Sequence, residues 1–149
     1  MLEHDSHIQV RAGNEFGIAR RMMDDFYAFR KMLGARTRDV WMPPTDMYET
    51  RDEIVIKMSL PGIKTTNVRV MFNDEEIIVN GYRAPSHDPG VVAYHQMEIR
   101  NGYFERRVVV QKLINPEAAT AEYHDGFLWV RVPKGGTAVA RVFTIHLNV

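Results

Sequence analysis

Apolar residues recur along this chain with two different periods, and the change falls near Trp41. Between Glu15 and Leu33 they stand at Phe16, Ala19, Met22, Met23, Phe26, Phe29, Met32 and Leu33, the i, i+3, i+4, i+7 spacing of an amphipathic helix. Asn14 is placed to cap its start, and Gly34 supplies a C-terminal stop. Ala35 to Val40 then reads as a basic, polar linker. Beyond Trp41 the period becomes two and turn residues recur every few positions, as in an antiparallel β-sandwich.

Within that second region Glu53 to Leu60 predicts a strand closed by Pro61-Gly62. Val68, Val70 and Phe72 predict an inward face before an Asn73-Asp74 turn, and Glu76 to Asn80 predicts the hairpin partner, ended by Gly81. Tyr82 to Gln96 carries Pro85, Asp88, Pro89 and Gly90 and shows little strand pattern. Loops longer than about 12 to 15 residues are usually functional or disordered, so this one calls for a purpose. Strands are expected again at Met97 to Val110, Thr120 to His124 and Phe127 to Val132, the last two joined by an Asp125-Gly126 turn. Phe143 to Val149 alternates as a short isolated strand. The expected division is a helical arm and linker over 1–41, a sandwich over 42–134 and an extended tail over 135–149.

Four separated motifs in this sandwich region carry a family resemblance. Ala121-Glu122-Tyr123-His124-Asp125-Gly126-Phe127-Leu128 resembles the small heat shock protein signature A-x-x-x-n-G-V-L, with Phe127 in the valine place. Leu60-Pro61-Gly62-Ile63 is similar to the family's L-P-G-V, Gly102-Tyr103-Phe104-Glu105-Arg106 to its G-x-F-x-R, and Leu128 to Lys134 to its last strand with the terminal V-P-K. The resemblance covers roughly Pro43 to Lys134 plus the tail. It implies the α-crystallin domain, an all-β, immunoglobulin-like antiparallel sandwich. Val110-Gln111 departs from the usual Leu-Pro, and Ile145-His146-Leu147 is a variant of the I-x-I/V anchor.

The bacterial and plant branch of that family implies more. Its long loop carries a short strand that crosses to a partner, a role that Val91, Val92 and Tyr94 would fill here against the edge containing Asp46 and Tyr48. Pro85 and Asp88-Pro89-Gly90 oppose the continuous strand of the animal branch. The resemblance also gives Arg106 an interface role. It makes Ile145 and Leu147 an oligomer anchor that enters a groove formed by Val68, Val70, Phe72, Ala121 and Tyr123. Within the arm, Phe16, Met22, Met23, Phe26, Phe29, Met32 and Leu33 form a stripe of adaptable side chains suited to non-native clients or to packing on the sandwich.

Composition narrows the remaining choices. In 149 residues, 45% are hydrophobic and 26% charged, enough for one sandwich with appendages. Nineteen basic residues balance nineteen acidic ones, so no overall field draws the chain to nucleic acid or anionic lipid. There is no cysteine, hence no disulfide framework and no thiolate metal site. The first residues, with Glu3, His4, Asp5 and His7, lack the cationic start and apolar run of a signal peptide. A cytoplasmic location is expected, with no membrane span and no cofactor.

Enzyme chemistry finds little support. No phosphate-cradling G-x-x-x-x-G-K-[ST] occurs, and none of Ser6, Ser59 and Ser86 lies in G-x-S-x-G. Asp74-Glu75-Glu76 reads as a solvated turn, and His4 with His7 lack a third ligand. What the resemblance implies is an ATP-independent holdase that keeps unfolded or partly folded clients from aggregating and works through a dynamic oligomer of dimers. The alternative is a monomeric CS/p23-like co-chaperone adaptor that docks on another chaperone.

Overall fold

The computed structural model of the chain describes residues 40–72, 76–136 and 143–146, the last four as backbone only. The arm residues Phe16 to Leu33, the Asn73-Asp74 turn and Leu147 lie outside the described residues. Eight strands make two sheets: β1 (Thr45–Glu49), β2 (Glu53–Ser59), β3 (Val68–Phe72), β4 (Glu76–Arg83), β5 (Gly102–Val109), β6 (Thr120–His124), β7 (Phe127–Pro133) and β8 (Phe143–His146). Sheet one runs β1-β2-β7-β6 and sheet two β5-β4-β3-β8, with every pairing antiparallel. This is the all-β sandwich that the period-two pattern predicts.

Strict alternation selects the core. Ile54, Ile56 and Met58 of β2 meet Val68, Val70 and Phe72 of β3, together with Ile77, Val79, Phe104, Leu128, Val130 and Val132, all buried. Three further side chains, Val55, Met71 and Ile78, are buried outside this central cluster. They fill the in-between positions of β2, β3 and β4, so those inner strands read as continuous apolar runs. At the β6–β7 turn, Asp125 and Gly126 have φ of 50° and 80°, the paired left-handed residues that a tight hairpin requires.

The strand limits depart from the sequence reading at three places. β4 does not stop at Gly81 but continues to Arg83. Gly81 lies opposite both Val68 and Phe104, and a Cβ there would stand 2.2 Å from the Asn67 carbonyl oxygen and 2.7 Å from Phe104 Cζ. That glycine permits a close approach rather than a chain break. β5 begins at Gly102, not Met97, because Met97 to Asn101 alternate like a strand but have no strand beside them among the described residues. The tail strand is not isolated: β8 pairs with β3 of its own chain, Ile145 opposite Val70 and Phe143 opposite Phe72.

Candidate assembly interface

The sandwich has two kinds of edge. β3 is covered by β8, whereas among the described residues β1, β5, β6 and β8 each have a strand on one side only. Trp41 bridges part of the β5 edge: its N–H donates to the Tyr103 carbonyl (3.1 Å) and its carbonyl accepts from the Glu105 N–H (3.2 Å). Its ring packs on Phe104 with centroids 5.5 Å apart, so Trp41, left in the linker by the sequence reading, is held to the sandwich edge. Farther along, the β1 and β5 edges flank a groove of about 370 Å³ lined by Met47, Tyr48, Ile54, Val109 and Val110.

One end of this groove is fixed by charge. Lys112 Nζ reaches both Glu49 carboxylate oxygens, at 2.6 and 2.9 Å, and Lys134 Nζ lies 3.1 Å from the same carboxylate. The hydrogen bonds from Lys112 and then Lys134 hold the Glu49 carboxyl below its ordinary value. The edge residues expected to meet a partner, Asp46 and Tyr48, are exposed on β1. Arg106 lies on β5 opposite Val79, half-buried, and among the described residues no hydrogen bond or ion pair engages its guanidinium.

The long loop, residues 84–101, is exposed throughout. Its tip folds on itself: Asp88 accepts from the Gly90 N–H at 2.8 Å, and His87 Nδ1 lies 3.2 Å from the Tyr94 hydroxyl. Val92 is fully exposed, with Val91 and Tyr94 about half so. Sequence reasoning missed Met97 and Ile99, which are 72% and 79% exposed. Their alternation predicts a strand of this chain's own sheet. The loop residues and β1 are not hydrogen-bonded to each other in the described chain.

The anchor groove is a packed surface in this chain. Val68, Val70, Phe72 and Ala121 are buried, and Tyr123 is half-buried with its hydroxyl donating to the Leu60 carbonyl at 2.9 Å. Burial raises the Tyr123 phenol above its ordinary value, partly offset by the backbone and Arg83. Ile145 is opposite Val70 on β3, one of the two strands expected to form the groove, but within the same chain rather than a neighbouring one. No cluster of three metal-ligating side chains occurs among the described residues, and no helix among them is long and apolar enough to cross a membrane.

Comparison with known proteins agrees with this architecture. A 16.9 kDa class I heat shock protein of Triticum aestivum is 29% identical over 147 residues, covering 93% of this chain and 97% of that protein. Small heat shock protein C4 of Rickettsia felis is 26% identical over 103 residues, 69% of this chain and 63% of its own length. Among solved structures, HspA from Xanthomonas axonopodis superposes with a TM-score of 0.58 at 26% identity, covering 63% of this chain and 94% of that one. Heat shock protein 16.0 from Schizosaccharomyces pombe shares the fold, with a TM-score of 0.62 at 20% identity over 79% of this chain and 87% of that one. The pattern of the Hsp20/alpha crystallin family matches residues 46–146, and the chain belongs to that family.

Proposed function

We propose that this protein is an ATP-independent chaperone of the holdase type, assembled from dimers into a dynamic oligomer. Family membership supports the chaperone role, and the observation that carries the assembly is that, among the described residues, β1 has an open edge and residues 84–101 expose apolar side chains. An edge strand offers unpaired N–H and C=O groups, and Val91, Val92, Tyr94, Met97 and Ile99 offer apolar area with nothing of their own to cover. Pairing the loop of one chain with Asp46 to Glu49 of another satisfies both. Arg106 then meets acidic groups of the partner, where a planar guanidinium can bind bidentately.

The capture of clients falls to the Met/Phe stripe of the arm, whose unbranched side chains fit differently shaped partners. Binding of exposed apolar segments competes with their self-association by mass action and needs no covalent chemistry. The tail serves as a detachable anchor: β8 leaves β3 of its own chain and takes the same place on a neighbour.

The cis position of β8 favours a second reading, the monomeric adaptor, because a chain that covers its own β3 edge needs no neighbour there. Light scattering on the eluting protein separates the two, a large oligomer supporting the first and a strict monomer the second. For the dimer itself, replacing residues 87–94 by a short Gly/Ser turn yields folded monomers. Dimers that persist at micromolar concentration remove the loop from the interface.

A further inference from the structure

Arg83 joins four parts of the chain that are far apart in sequence. It ends β4 opposite Gly102, the first residue of β5, and so stands where both limbs of the loop leave the sheet. Its Nε donates to the Arg100 carbonyl at 3.0 Å, and Nη2 donates to the same oxygen. Nη1 donates to the Pro61 carbonyl at 3.1 Å, in the turn after β2. The guanidinium carbon also lies 4.3 Å from the centroid of the Trp41 ring, at the root of the arm. Desolvation lowers its pKa, yet an arginine keeps its charge at every ordinary pH.

This arrangement uses every property that distinguishes arginine from lysine. The planar fork reaches two carbonyls at fixed angles while its face stacks on an indole. Gly102, with φ of +92°, redirects the returning limb at the point where the fork holds it. We propose that Arg83 is a positioning residue for assembly, a clasp that fixes the root of the exchange loop and the root of the arm against each other. The proposal rests on the reading that the loop crosses to a partner. A loop held at both roots has less freedom to lose on docking, so the clasp favours association without touching the partner. Because Trp41 shares the guanidinium, displacement of the arm disturbs the loop's root as well.

The test uses the full chain with Arg83→Met and, as the conservative variant, Arg83→Lys, each checked for an intact β signal by circular dichroism. Amide exchange at Trp41 and Glu105 reports the arm's root, since those N–H groups form the bridge to β5. Subunit exchange between labelled populations reports assembly. Arg83→Met quickens both by roughly tenfold or more, tenfold being about the least that goes with losing its charge-assisted hydrogen bonds to two carbonyls, and lysine, lacking the fork, restores neither. Faster amide exchange with unchanged subunit exchange makes Arg83 a local strut and overturns the proposal, as does no change in either. The loop replacement at 87–94, made with Arg83 intact, tests the underlying reading separately. In monomers produced by it, Arg83→Met still loosens Trp41, whereas dimers that survive it overturn the crossing loop whatever Arg83 does.

Discussion

At the scale of single residues, two positions show how the sandwich spends little to gain definition. Tyr123 holds the Leu60 carbonyl next to the Pro61-Gly62 turn, so one hydroxyl ties β6 to the end of β2. Tyr123→Phe is expected to cost about 1 kcal/mol in a denaturant titration, the usual net worth of such a bond. The variant also carries a pH signature. Burial raises the folded phenol above its ordinary 10.0, so the unfolded chain releases that proton first as pH rises. The contribution is fully present below about pH 10 and is lost as pH climbs through the folded value. Tyr103, also raised by burial, keeps part of this alkaline limb, so Tyr123→Phe flattens it without abolishing it. Gly81→Ala is the harsher change. Its Cβ would collide with the Asn67 backbone and with the ring of Phe104, which is buried in the core. A loss of about 3 kcal/mol or more in thermal or urea unfolding is expected, and a change under about 1 kcal/mol would show that the strands can part there.

At the scale of elements, most strands were legible because one face of each is buried, and burial imposes a period of two on the sequence. The Asp125-Gly126 hairpin was legible for a different reason, since few residues tolerate two successive left-handed positions. What escaped was whatever depended on a neighbour. Gly81 looks like a terminator until Phe104 is seen above it, and Met97 to Ile99 look like a strand until they are seen to lack one alongside. Val91, Val92, Tyr94, Asp46 and Tyr48, expected from the resemblance to meet a partner, are exposed, but alternation cannot say which chain supplies that partner. The tail poses the same ambiguity. Nine residue steps separate Lys134 from Phe143, up to roughly 30 Å of extended chain, which reaches either the chain's own β3 or a neighbour's. Ile145→Ala with Leu147→Ala is expected to release the tail from both. Two such side chains contribute about 3 to 6 kcal/mol before association costs, so in the proposed oligomer each anchor alone would be weak while many together would hold by avidity. Light scattering should therefore show a large assembly falling to dimers, with the β signal by circular dichroism retained. An unchanged mass would remove the tail as a link, and loss of the β signal would mean that β8 chiefly completes its own sandwich.

At the scale of the whole molecule, the protein combines a sandwich that folds around its own core with apolar surfaces that have no use inside one chain. The formal net charge of zero gives it no colloidal repulsion, and the proposed assembly would bury those surfaces. The arm carries the longest apolar stripe of the sequence, and the described chain joins the sandwich at Trp41. That geometry decides where the chain should be cut. Removing residues 1–40 leaves Trp41 on Phe104 and on the Arg83 guanidinium, whereas removing 1–42 takes the plug away and exposes the ring of Phe104. The longer truncation is expected to be less stable by about 2 to 3 kcal/mol, short of a full core deletion because Trp41 is only half-buried. The shorter one should keep the dimer, since the loop and β1 are untouched. It should also fail to keep a heat-denatured test protein in solution, measured as turbidity at matched subunit concentration, because Phe16, Met22, Met23, Phe26, Phe29, Met32 and Leu33 are gone. Full protection by the 1–40 truncation would move the client surface to the sandwich, where the groove between Met47 and Val110 is a hollow able to receive it. Protection lost only with the 1–42 cut would instead trace the defect to the loosened edge at Phe104 and leave the arm a structural part of the oligomer.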